Sequence, residues 1–122
     1  MAFAIIDGDD VGNKVETHIL ANDIAKFVES SRMINAALEG IATRMADLPG
    51  VSLVHAGGDS ILIEIRDGSV ELIAEALKKE QKPGILTFSA GVGSTLRQSF
   101  LALRMAKSSG KCRVVNFKEA TE

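Results

Sequence analysis

Residues 51–65 read VSLVHAGGDSILIEI, two apolar-rich runs joined through Gly57-Gly58-Asp59. Val51, Leu53 and His55 alternate with Ser52, Val54 and Ala56 before the glycines reverse the chain into Ser60-Ile61-Leu62-Ile63-Glu64-Ile65. Period-two alternation marks a strand with one buried face, and a Gly-Gly break between two such runs predicts a β-hairpin. Asp59 then sits at the hairpin's tip.

Upstream, Pro49-Gly50 closes a proline-free stretch from Thr17 to Leu48. Within it Leu20, Ile24, Phe27 and Val28, then Ile34, Leu38, Ile41 and Met45, recur at helical spacing. The polar Glu29-Ser30-Ser31-Arg32 shifts the phase, which predicts two helices or one kinked helix. Ahead of this, residues 2–6 form a short apolar run that stops at the acidic glycine turn IIDGDDVG. That pattern predicts a buried first strand with Asp7 at its C-terminal edge.

Downstream, Asp67-Gly68-Ser69 predicts a turn and cap, followed by a helix whose apolar face is Val70, Leu72, Ile73, Ala76 and Leu77. Lys78, Lys79 and Lys82 suit the negative end of its dipole. Residues 85–91 predict a further strand, Ser94 or Thr95 caps a helix with Thr95 and Gln98 at capping-box spacing, and Gly110 closes it. Residues 112–117 then run extended, with Cys112 as a half-buried strand residue. The order β-α-α-β-β-α-β-α-β contains βαββαβ, so the expected class is α+β: a ferredoxin-like palm core with an extra N-terminal helix and a C-terminal strand. Helices should pack on one face of an antiparallel sheet, within one domain over residues 1–122.

Composition narrows the function. The 122 residues carry 14 Lys and Arg against 16 Asp and Glu, a net charge of −2 that gives no broad basic field for DNA. The absence of Trp and Tyr removes the usual stacking platforms for single strands. One cysteine excludes an intramolecular disulfide. The run Phe3-Ala4-Ile5-Ile6 is too short for a signal peptide or membrane span, so a cytoplasmic protein without membrane contact is expected. His18, expected exposed on a helix, and His55, expected half-buried on a strand, lack a third partner for zinc. Met33, Met45 and Met105 are expected in the core.

In a ferredoxin-like order the first strand lies beside a hairpin strand, so Asp7 and Asp59 can approach each other. Two carboxylates at one sheet edge repel unless one is protonated or a cation lies between them. Gly8, Gly57 and Gly58 leave room for a ligand, and oxygen-only ligation selects Mg²⁺ or Mn²⁺, whose remaining ligands are supplied by substrate phosphates. Lys107 and Lys111, where the last helix ends in AKSSGK, and the turn from Gly8 to Gly12 can serve the phosphates. Taken singly, Asp-Gly and Gly-Gly-Asp are ordinary hairpin turns, and lysines at a helix C-terminus ordinarily serve its dipole.

Three segments, FAIIDGDDVG, HAGGDSILI and FSAGVGSTLRQSFLALRMAKSSGKCRVV, occur in the order and spacing of one known group. The chain resembles the minimal CRISPR polymerase (mCpol) family and, more broadly, the palm domains of GGDEF diguanylate cyclases and of the type III CRISPR cyclic oligoadenylate synthase. The resemblance implies that Asp7 and Asp59 are the metal carboxylates and that the Gly8 carbonyl is a further ligand. It places Lys107 and Lys111 on the β and γ phosphates, with the turn Asp9, Asp10, Val11 and Gly12 cradling them through its amides. Gly57, Gly58 and Ser60 belong to the same nucleotide site. At Ser60 the chain departs from these relatives, which carry a second acid there; Asp9 or Asp10 is a possible substitute. The guanine-reading pattern of diguanylate cyclases has no clear counterpart in residues 13–23, and the resemblance to the CRISPR polymerases implies ATP as the nucleoside triphosphate.

The implied activity is two-metal condensation of nucleoside triphosphates into a cyclic di- or oligonucleotide, with pyrophosphate released. The product would be an anti-phage signal read by a separate effector. Because one short palm holds one donor triphosphate, ring closure implies a homodimer with apposed sites. The competing readings are a GTP cyclohydrolase or mononucleotide cyclase on the same scaffold, and a catalytically degenerate nucleotide sensor.

Overall fold

The computed structural model describes residues 1–66 and 70–118; the turn and cap expected at Asp67-Gly68-Ser69 lie outside them. The elements are β1 (Ala2–Gly8), α1 (Val11–Leu20), α2 (Ile24–Ala46), β2 (Val51–Gly57), β3 (Ser60–Ile65), α3 (Val70–Lys78), β4 (Phe88–Gly93), α4 (Leu96–Ser108) and β5 (Val114–Asn116). They form a palm-like α+β fold around one sheet of order β2-β3-β1-β4-β5. The first strand therefore lies between β3 and β4, antiparallel to both.

The added C-terminal strand makes the sheet mixed, because β5 joins β4 in parallel. A parallel neighbour needs a crossover, and α4 supplies it. Strand alternation puts Phe88, Ala90 and Val92 in the core shared with Ile34, Leu38, Ile41 and Met45 of α2 and Ile73, Ala76 and Leu77 of α3. Gly91, of opposite parity, lies against α4, where an added Cβ would meet Leu103 N at 2.1 Å and Ser99 O at 2.2 Å. The helices thus cover both faces rather than one. Every residue of β4 is buried as a result.

The first face holds most of the apolar core. Ile6, Ile41, Ile61, Ile63 and Ile65 are each at most 1% exposed, and full burial of one such side chain stabilises by about 1.5–3 kcal/mol. In α2 only Ile34, Leu38, Ile41 and Met45 are buried, at spacings of four, three and four. Met45 joins the core as expected, Met105 is half-buried and Met33 is largely exposed.

The helical break falls earlier than the polar Glu29–Arg32 stretch, which runs uninterrupted inside α2. Asn22, with φ of 53°, and Asp23, whose side chain accepts from the Lys26 amide at 3.1 Å, end one helix and start the next. Strand β4 begins at Phe88 rather than Ile85, because residues 83–85 form a turn that Lys82 and Leu86 close as an isolated bridge, and the Gln81 side chain engages the backbone at residue 88. Phe88 N–H donates to Gln81 Oε1 and Gln81 Nε2 donates to Phe88 O, both at 2.7 Å.

The α4 cap forms as its spacing requires. Thr95 accepts from the Gln98 amide at 3.1 Å, and Gln98 Oε1 accepts from Ser94 N–H at 2.9 Å. Thr95→Ala is expected to cost about 1 kcal/mol in urea unfolding, whereas Thr95→Ser should cost less than half as much. Equal stability of Thr95→Ala and the parent chain would contradict the cap.

Candidate nucleotide and metal site

Strand pairing brings the two acidic turns together. Asp7 lies opposite Ser60 on one side and Ser89 on the other, and Gly8 N–H donates to the Asp59 carbonyl at 3.1 Å, one residue beyond the ladder. Gly58 turns the hairpin with φ of +61°, a conformation other residues adopt only with strain. Asp59 is consequently exposed at the tip, beside the half-buried Asp7. Burial pushes the Asp7 carboxyl above its ordinary range, Lys107 pulls it down, and Asp59 pushes it up again. The Asp7 carboxylate therefore feels the charge of Asp59.

From the opposite sheet face, the last turn of α4 delivers Lys107. Its Nζ donates to the Gly8 carbonyl and to Asp9 Oδ1, each at 2.8 Å, and lies 3.2 Å from Asp7 Oδ2. Lys111 pairs with Asp10 Oδ1 at 2.6 Å. That charge-assisted bond holds the Lys111 ammonium above its ordinary range.

Asp9 is 2% exposed, and both its carboxylate oxygens are occupied. Oδ1 accepts from Ser89 Oγ at 2.7 Å and from Lys107; Oδ2 accepts from Thr87 Oγ1 at 2.7 Å and from the Cys112 amide at 3.0 Å. Burial alone would raise its pKa, but these bonds together outweigh burial and hold it below the usual carboxylate range. The Asp9 amide donates to Thr87 O at 2.8 Å. Its amide and its carboxylate are thus both engaged within the chain. Asp10, with φ of 57°, precedes α1 without capping it by its side chain, so Val11 and Gly12 present the first amides of an uncapped helix end.

Sequence reading singled out Asp7, Gly8, Asp9, Asp10, Asp59, Lys107 and Lys111, and the fold brings them to one end of the central strands. It overlooked Thr87 and Ser89. Their only signal was polar residues at alternate positions of an otherwise apolar strand. It also misplaced Cys112, which is exposed, lies before β5 and contributes a backbone N–H. His55 is exposed because β2 is an edge strand, and its register slips at a bulge between Leu53 and His55. His18 is half-buried.

A cleft of about 250 Å³ opens between α2 and the hairpin. Asn35, Leu38 and Glu39 line one wall, and Gly57, Gly58 and Ser60 the other. The residues on either side of Asp59 thus belong to it.

Among the described residues no three His, Cys, Asp or Glu side chains converge as a closed metal cage. Asp7, Asp59 and the Gly8 carbonyl are oxygen donors that suit a hard divalent cation completing its shell with phosphate oxygens, and a cation on Gly8 would replace the Lys107 ammonium from which that carbonyl accepts. No helix among them is long and apolar enough to cross a membrane.

This sheet order, with helices packed on both faces and two acidic turns at one end of the central strands, is that of a palm domain, the class that nucleotide cyclases and polymerases share. The chain belongs to the minimal CRISPR polymerase (mCpol) domain family, whose profile matches residues 3–117. Its fold is similar to that of the GGDEF domain of DgcB from Caulobacter crescentus, solved with c-di-GMP, at 18% identity over 96% of this chain and 77% of that one, TM-score 0.70. The active GGEEF domain of a diguanylate cyclase from Vibrio cholerae matches at 18% identity over 95% and 81%, TM-score 0.65. A chain of the apo Csm1–Csm4 cassette matches at 24% identity over 93% of this chain and 20% of that one, TM-score 0.61. A search of curated proteins gave no significant match.

Proposed function

We propose that this palm condenses nucleoside triphosphates, ATP foremost, into a cyclic di- or oligonucleotide and releases pyrophosphate. The observation that carries this reading is the meeting of Asp7, the Asp59 hairpin tip, Lys107 and Lys111 at one end of the sheet. Asp7, Asp59 and the Gly8 carbonyl would hold Mg²⁺ or Mn²⁺. When bound, such ions acidify a ribose hydroxyl and neutralise triphosphate charge.

The chain's own residues do the rest. Lys107 and Lys111 bind the phosphates, joined by the Val11 and Gly12 amides at the start of α1. The cleft by Gly57 and Gly58 takes the base, with Asn35 and Glu39 within its wall as hydrogen-bonding groups. With the triphosphate so oriented, a ribose hydroxyl loses its proton to water and bonds to the α-phosphorus of another nucleotide, and pyrophosphate departs. The cleft by Gly57 and Gly58 takes one nucleotide, so a second copy presents the attacking nucleotide in an apposed homodimer. Kinship with CRISPR polymerases supports a signalling role in anti-phage defence, with a separate effector reading the product.

The test is incubation with each nucleoside triphosphate and Mg²⁺ or Mn²⁺, followed by mass spectrometry, with Asp59→Ala as control. A cyclic adenylate absent from the control supports the reading. Saturable nucleotide binding without pyrophosphate release favours instead a sensor, for which the absence of a second acid at Ser60 is the specific observation. Glu39→Ala is expected to raise KM for the preferred nucleotide by about 10-fold with little change in kcat, since it removes a contact made equally in ground and transition states. Unchanged KM would remove Glu39 from the base cleft.

A further inference from the structure

We infer that Asp9 is a positioning residue that sets both phosphate lysines at once, rather than a substitute for the acid missing at Ser60. The inference rests on the reading of Lys107 and Lys111 as phosphate ligands. A carboxylate has about four acceptor sites, and in Asp9 four donors take them: Ser89 and Lys107 on Oδ1, Thr87 and the Cys112 amide on Oδ2. At 2% exposure there is no open side from which a cation could be held without breaking this set.

The two oxygens do different work. Oδ1 fixes the Lys107 ammonium where it also meets the Gly8 carbonyl and lies beside Asp7. Oδ2 fixes the turn that follows α4. There Lys111 and Cys112 have φ of 64° and 52°, a left-handed pair that costs free energy at residues other than glycine and persists only when held. The Cys112 amide bonded to Asp9 is one such hold; the Lys111 amide on Ala106 O at 3.0 Å is another. Lys111 leaves this turn to reach Asp10. One buried side chain in the β1–α1 turn therefore determines where α4 and the loop beyond it present their positive charges.

Thr87 and Ser89 complete the device. Their hydroxyls, one on the residue just before β4 and one on β4 itself, tie Asp9 to the strand packed beside β1, so the carboxylate cannot follow the lysines if they move. A bound triphosphate would meet two ammonium groups already held near it, Lys107 exchanging its contact with Asp7 and Lys111 its contact with Asp10 for phosphate oxygens, which lowers the ordering cost of binding.

The test uses inorganic tripolyphosphate with Mg²⁺, followed by calorimetry. Asp9→Asn is expected to weaken binding at least 10-fold in protein that still folds by circular dichroism. In the Lys107→Met, Lys111→Met background the same change should have no further effect, because Asp9 acts through those lysines. An Asp9 that is merely structural would lower the melting temperature while the folded protein bound tripolyphosphate as before, and that result overturns the inference. Should Asp9→Asn fail to fold, amide exchange in the parent chain decides: Cys112 N–H is expected to exchange at least 10-fold more slowly than its intrinsic rate, although the residue is exposed, and an unprotected amide overturns the clamp. Failure of the parent chain to bind tripolyphosphate overturns the nucleotide reading together with this one. Normal binding that persists in Asp9→Asn overturns this one alone.

Discussion

Asp59→Asn is expected to lower pyrophosphate release by on the order of 100- to 1000-fold while leaving the protein folded. The substitution keeps the size of the side chain and removes one negative charge from the carboxylate pair. With Asp7 alone, the site loses half the charge that would hold a divalent cation against a triphosphate. Asp59 is exposed at a turn, so the stability change should stay within about 0.5 kcal/mol. The measurement is steady-state pyrophosphate release beside thermal unfolding of the same preparations. More than a tenth of parental activity in Asp59→Asn would sink the assignment. Asp7→Asn should be at least as inactive but is the less clean variant, because Asp7 also faces Lys107 at 3.2 Å.

Gly91→Ala is expected to be severely damaging for a change of one methyl group, costing about 3 kcal/mol or more. The added Cβ would stand 2.1 Å from Leu103 N and 2.2 Å from Ser99 O, and both are backbone atoms of α4 that cannot rotate away. The helix must lift off the sheet. Gly93 reinforces the constraint, since a Cβ there would lie 2.5 Å from Gln98 Cβ and 2.8 Å from Ser99 N. Because α4 carries Lys107, the fraction that still folds should also bind tripolyphosphate less tightly. Urea unfolding within about 1 kcal/mol of the parent chain would contradict this packing.

Both experiments probe features that differ in how far the sequence announced them. The acidic turn after β1 and the Gly-Gly-Asp tip are local: a short apolar run ending in Asp-Gly, and two alternating runs broken by glycines, dictate where a strand stops and where a hairpin turns. Such signals are carried by a few consecutive residues, so Asp7, Gly58 and Asp59 were legible, as were the Thr95 cap and the Ile34, Leu38, Ile41 and Met45 stripe. That β1 lies beside a hairpin strand also followed from the βαββαβ order, whereas its other neighbour, β4, came only with the fold.

What the sequence could not declare is what meets across the sheet. Gly91 reads only as the end of a strand, and Gly93 carries no local signal, until α4 is found pressed on both. Thr87 and Ser89 are unremarkable strand residues until Asp9, nearly eighty positions earlier, turns its carboxylate toward them. Cys112 read as a half-buried strand residue, whereas its side chain is exposed and its backbone N–H does the work. Asp9 itself was one of three acids within four residues, and nothing in DGDD distinguishes a carboxylate that faces a ligand from one that is buried. That distinction depends on burial and on donors from β4, α4 and the loop beyond it, groups that only tertiary packing brings within hydrogen-bond distance. The sequence by itself determined the strand ends, the turns and the order of the palm; the three-dimensional fold decided which acid stays open and which is locked, because the cost of burying a charge is met only by partners far away in the chain.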